Sequence, residues 1–118
     1  MSTTPAFAKA LDRVTRVRGV RGAMVVSGDD GLVVAEQVME GIRGSALAAL
    51  AASLANRLRR AMEAAGVGTS VFWHLHCDNG ALLVVPAATG VLLVAVAEAE
   101  VNVGLVRLEL LKAAEALP

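Results

Sequence analysis

His74 and His76 stand two residues apart in the run Ser70 to Cys77, SVFWHLHC, with Cys77 directly after them. Imidazoles at i and i+2 of a strand share a face, which is one geometry for two ligands of a metal ion. Cys77 points to the other face, and no third histidine or carboxylate can be placed beside the pair. Polar side chains on the outer face of an edge strand account for both histidines, so no metal and no other cofactor is expected. As a nucleophile Cys77 would need a base and an electropositive setting; at a strand end on the Trp73 face it is expected to be a small buried thiol. Ser27, Ser45, Ser53 and Ser70 lack the context of a nucleophile elbow or a triad. Asp29 and Asp30 are the only paired carboxylates, and they fall in the turn Gly28 to Gly31. That turn matches neither GxxxxGK[ST] nor a spaced calcium loop, and hairpin chemistry explains it. These residues point away from an enzyme and away from a nucleotide-binding protein.

The elements that carry these residues follow from periodicity. Thr4 and Pro5 are expected to open a first helix as N-cap and first helical residue. Phe7, Ala10, Leu11, Val14 and Val17 then form its apolar stripe up to about Gly19. Two β-rich runs, Val20 to Ser27 and Leu32 to Val38, flank the GDDG turn as a hairpin. Glu36 and Gln37 place polar groups on opposite faces of the second strand, which suits an edge. After a flexible connection over residues 38–44 comes one long helix from Ser45 to Ala65, capped by Ser45 or Gly44 and ended by Gly66 as its C′ residue. Three strands follow as an antiparallel meander: Ser70 to Cys77, Ala81 to Ala87 and Val91 to Ala97. The last two are apolar on both faces and belong in the centre with helices on both sides. The first alternates Val71, Trp73, Leu75 and Cys77 with Phe72, His74 and His76, which suits the other edge. A final helix runs from about Asn102 to Leu117.

The long helix carries two stripes. Leu47, Leu50, Leu54, Leu58 and Met62 form a face expected to lie on the sheet, stepping about 100° per residue. Ala48, Ala52 and Ala55 form a flank without bulk, expected to let a partner helix approach. Ala49, Asn56, Arg60 and Glu63 form the line expected to face outward.

Composition limits what such a fold can do. The chain has 118 residues, 56% of them hydrophobic and 19% charged, which is little polar cover for one small domain spanning residues 1–118. No run reaches the 18 or so uninterrupted apolar residues of a membrane span, so surface hidden in an oligomer is favoured and no membrane insertion is expected. The N-terminus lacks a secretory pattern and Cys77 is the single cysteine, which points to the cytoplasm. Lys9, Arg13, Arg16, Arg18 and Arg21 face Asp12 alone in residues 1–22, but three aromatics offer no stacking platform, so no nucleic acid is expected as a partner.

Three segments carry a resemblance: VRGAMVVSGDDGLVVA, the alanine-leucine helix LAALAASLANRL, and Val101 to Leu110, VNVGLVRLEL. Over about residues 9–116 the chain resembles the Roadblock and dynein light chain family, whose bacterial and archaeal members accompany Ras-like small GTPases. The resemblance implies an α+β fold with element order α-β-β-α-β-β-β-α. Its single-layer five-stranded antiparallel sheet has the order 2-1-5-4-3, with the long helix on one face and the two terminal helices on the other. It implies a homodimer in which third strands pair edge to edge and long helices lie antiparallel, so Phe72, His74 and His76 would flank the strand seam and Ala48, Ala52 and Ala55 would face their copies. It also implies a non-enzymatic platform that binds a Ras-like small GTPase and modulates its nucleotide cycle or localisation. Arg57, Arg60 and Glu63 are the expected contact residues. An adaptor of the same fold that binds a non-GTPase partner independently of nucleotide is the alternative. The chain ends soon after its last helix, so activities that depend on a long C-terminal tail are not expected.

Overall fold

The computed structural model describes residues 4–118, apart from the side chain of Thr4; the capping role expected of Thr4 lies outside them. The elements are α1 (Thr4–Thr15), β1 (Val20–Ser27), β2 (Val33–Val38), α2 (Gly44–Ala65), β3 (Trp73–Cys77), β4 (Gly80–Pro86), β5 (Val91–Ala97) and α3 (Val103–Glu115). All five strands join one antiparallel sheet in the order β2-β1-β5-β4-β3, as the resemblance implies. β1, β5 and β4 are buried on both faces, so their near-continuous apolar sequences match their central places.

Alternation along the strands divides the core in two. Ala23, Val25, Leu83, Val85, Leu93 and Ala95 point to one face, where α1 and α3 cover them with Leu11, Val14, Val106 and Leu110. Met24, Val26, Leu82, Val84, Leu92 and Val94 point to the other, where α2 alone covers them. The α1 and α3 layer is tied to the edge strand as well: Gln37 Nε2 donates to Asp12 Oδ1 at 2.9 Å, and Arg13 pairs with Glu109 at 2.7 Å across the two helices.

The face of α2 that meets the sheet is not the leucine stripe. Gly44, Ala48, Ala51 and Ala52 are its buried residues, with Ala48 at 0% and Ala52 at 4% exposure and Ala55 packed beside them. Leu50 is instead 43% exposed, and Leu54, Leu58 and Met62 are half-buried. The assignment of Ala48 and Ala52 to a partner-facing flank is therefore corrected: both are committed to the sheet within one chain. The sheet face supplies the bulk through methionine, leucine and valine, so a close-lying helix must answer with methyl groups and glycine to keep the interior densely packed. A Cβ on Gly44 would lie 3.5 Å from Met24 Sδ, an ordinary contact, and would require only the Glu36 carboxylate to shift. Gly44 is buried as the first helical residue, and the N-cap, Arg43, makes no side-chain capping bond.

The C-terminal end of α2 follows expectation, whereas α1 stops at Thr15, short of Gly19, and α3 runs Val103–Glu115 with Asn102 outside it as the N-cap. Gly66 closes α2 at φ 75°, with Gly66 N donating to Glu63 O and Val67 N to Met62 O, which satisfies two orphan carbonyls. Asn102 caps α3 by accepting from Leu105 N at 3.0 Å. β3 is shorter than its sequence suggests because its ladder with β4 pairs Trp73 with Val84. Extending that register would bring Val71 opposite Pro86, which has no N–H to offer.

Candidate protein-interaction site

β3 pairs with β4 on one side only. Its outer edge therefore presents unpaired backbone groups, a template for another strand. Which side chains border that edge follows from the register. His74 lies opposite Leu83 and His76 opposite Ala81, so the two histidines share the α1 and α3 face with Phe72, which packs against that core. Their rings stack with centroids 6.0 Å apart, and the Arg107 guanidinium lies 5.6 Å from the centre of the Phe72 ring, a cation–π contact that ties the approach to β3 to α3. No group of three His, Cys, Asp or Glu side chains able to hold a metal ion occurs among the described residues. The arrangement is thus a polar border to a strand edge.

The opposite face of β3 is apolar. Trp73 packs against the α2 core, while Leu75, opposite Leu82, remains 39% exposed. Cys77 is exposed, which corrects the expectation of a buried thiol. It is the last residue of an edge strand, and the residue opposite it is Gly80, which has no side chain to cover the sulfur.

Above this face runs the displaced leucine stripe of α2. Leu47 borders a groove with Gly80 and Val96 at the start of β4. The other flank of the helix meets the β1–β2 turn: a Cβ on Gly31 would lie 3.2 Å from the Cα of Ala49, and Asn56 Nδ2 donates to Gly28 O at 3.3 Å. The leucines therefore lie on the flank of α2 turned away from the β1–β2 turn, where Leu50 keeps 43% of its surface exposed, and Leu75 on β3 keeps 39%. Arg57, Arg60 and Glu63 lie on the outward side of the helix, all exposed, and none forms an ion pair among the described residues. Both the leucine stripe and the alternation at Leu75 are visible in the sequence. Periodicity alone does not say which of two apolar stripes about 100° apart meets the sheet.

Known proteins share this architecture. Residues 7–97 match the model of the Roadblock/LC7 domain, a stretch that stops short of α3 and of the VNVGLVRLEL segment. An uncharacterised protein of Methanocaldococcus jannaschii is 33% identical over 107 residues, covering 91% of this chain and 92% of the relative. A second from the same organism is 32% identical over the same shares. Among solved structures, an MglB with tetrameric arrangement is 26% identical with a TM-score of 0.86, covering 98% of this chain and 86% of that one. The gliding protein MglB of Thermus thermophilus, at 23% identity, superposes with a TM-score of 0.86 over 99% and 89%, and a Roadblock/LC7 domain from Streptomyces avermitilis, at 24%, with 0.82 over 92% and 91%. Matched in sequence over most of its length and in fold over nearly all of it, the chain belongs to the Roadblock/LC7 domain family.

Proposed function

We propose that two copies of this chain pair through β3 and the leucine flank of α2, and that the dimer is a non-enzymatic cytoplasmic platform which binds a Ras-like small GTPase and modulates its nucleotide cycle or localisation. The observation that carries this reading is the open β3 edge with Leu75 exposed on it and Leu50 exposed on α2, apolar surface left uncovered within one chain. An isologous contact would cover that surface and pair the edge in one step. Phe72, His74 and His76 border the same seam on the other face of the sheet. Self-association has a precedent in the tetrameric arrangement of the MglB that is 26% identical to this chain. Pairing along β3 would bring two α2 helices side by side, leaving Arg57, Arg60 and Glu63 outward as a charged surface for the GTPase. No described helix is long and apolar enough to cross a membrane.

The test is capture of partners from lysate of the source organism, divided between GDP and a non-hydrolysable GTP analogue. Retention of a Ras-like GTPase in one nucleotide state, lost with the Arg57→Ala/Arg60→Ala double variant, is the expected result. Retention of one non-GTPase protein equally in both halves would replace this reading with that of a nucleotide-independent adaptor.

A further inference from the structure

A cleft of about 240 Å³ opens between the C-terminal half of α2, the β1–β2 turn and the β4–β5 turn. Ala55, Trp73, Pro86 and Leu92 give it an apolar wall, and Asp29 and Arg59 border it with opposite charges. It is below the roughly 300–1,000 Å³ of sites for drug-sized ligands, a size that suits a small metabolite.

The two charged groups do not pair with each other. Arg59 Nη2 donates to Asn56 Oδ1 at 3.2 Å, and Asn56 in turn donates to Gly28 O at 3.3 Å. One edge of the guanidinium is thereby anchored through the helix to the turn, and its remaining N–H groups are available. In that turn Asp30 accepts from Leu32 N at 3.1 Å, whereas the Asp29 carboxylate has no hydrogen-bond partner among the described residues. No ion pair joins Asp29 to Arg59. A cation and an anion that border one small cleft without neutralising each other are complementary to a ligand bearing both charges.

We propose that this cleft binds a small zwitterion, a free α-amino acid, whose carboxylate meets Arg59, whose ammonium meets Asp29 and whose side chain lies on the wall of Trp73, Pro86 and Leu92. Arg59 would engage the carboxylate through charge-assisted hydrogen bonds in the planar manner of a guanidinium. Asn56 is a positioning residue. The site uses none of Arg57, Arg60 and Glu63 and shares only Trp73, the first residue of β3, with the strand of the proposed seam, so Asp29→Asn and Arg59→Gln test it separately from the partner surface.

Trp73 is the only tryptophan of the chain, so its fluorescence reports occupancy directly. The full chain is titrated with each of the common L-amino acids and, as controls, with the matching 2-hydroxy acids and primary amines, each of which lacks one charge. Saturable quenching by one or a few amino acids with a Kd below about 1 mM is expected. The matching controls should bind at least about tenfold more weakly, and so should Asp29→Asn and Arg59→Gln, the order of one lost charge-assisted bond. Both residues are exposed, and unchanged melting of each variant shows that the fold survives. Absence of saturation with every amino acid, equal binding of a control lacking one charge, or unchanged affinity in the two variants would each overturn the proposal.

Discussion

Leu75→Glu tests the seam most directly. Fully burying a leucine side chain contributes about 1.5–3 kcal/mol. Leu75 keeps 39% of its surface exposed in one chain, so pairing leaves about 0.6–1.2 kcal/mol per side chain still to be gained. Two-fold symmetry brings the residue in twice, so the substitution removes at least about 1.2–2.4 kcal/mol of association free energy, a rise of about 8- to 60-fold in dimer Kd. Two carboxylates beside an apolar seam add to that loss. The substitution also costs stability within one chain, because the covered part of Leu75 is lost too. Leu108→Glu controls for this: Leu108, 46% exposed, belongs to α3 on the far side of the sheet and has no part in the proposed seam. Sedimentation equilibrium over a concentration series gives both Kd values. A Leu75→Glu protein that dimerises with the wild-type Kd, or a Leu108→Glu protein that dissociates to the same degree, would refute the placement of the seam on β3.

Three further substitutions probe how the scaffold is held. Ala48→Leu forces bulk between α2 and the sheet at a site with no exposure and is expected to lower the urea unfolding free energy by about 1–3 kcal/mol, whereas Ala64→Leu on the exposed last turn stays within about 0.5 kcal/mol; equal costs would place the alanine face wrongly. Gly31→Ala combines a φ of +74° with a Cβ only 3.2 Å from the Cα of Ala49, so a loss of about 1–3 kcal/mol is expected, read as a fall in thermal midpoint. Asn102→Ala removes the bond accepted from Leu105 N and should cost about 1 kcal/mol, recovered in Asn102→Asp.

How much of this protein is legible in its sequence depends on the kind of interaction. Local signals carried the elements. The Gly66 stop and the two-sided apolarity of β4 and β5 each act over a few residues, and each reappears in the fold. Alternation also placed the residues of β3 on their faces, because a strand admits only two. It could not place the end of β3, which depends on Pro86 of its neighbour. Nor could it tell that Cys77 is uncovered, since the residue opposite is a glycine supplied by β4.

The helix α2 marks the boundary between what the chain states and what the fold decides. Its residues alone determine that it is a helix, that it has an alanine stripe and a leucine stripe, and that Arg60 and Glu63 lie outward; that Asn56, expected beside them, bonds to Gly28 O instead was decided by the fold. Which stripe meets the sheet was settled by volume: the strands beneath already project Met24, Leu82 and Leu92, and only Gly44, Ala48, Ala51 and Ala52 leave room for them. That choice swings the leucines to the flank away from the β1–β2 turn and leaves Leu50 43% exposed. It also sets Asn56 and Arg59 against the β1–β2 turn. Neither consequence is a property of any single segment. Both arise because close packing couples a helix's rotation to side chains that lie tens of residues away in the chain.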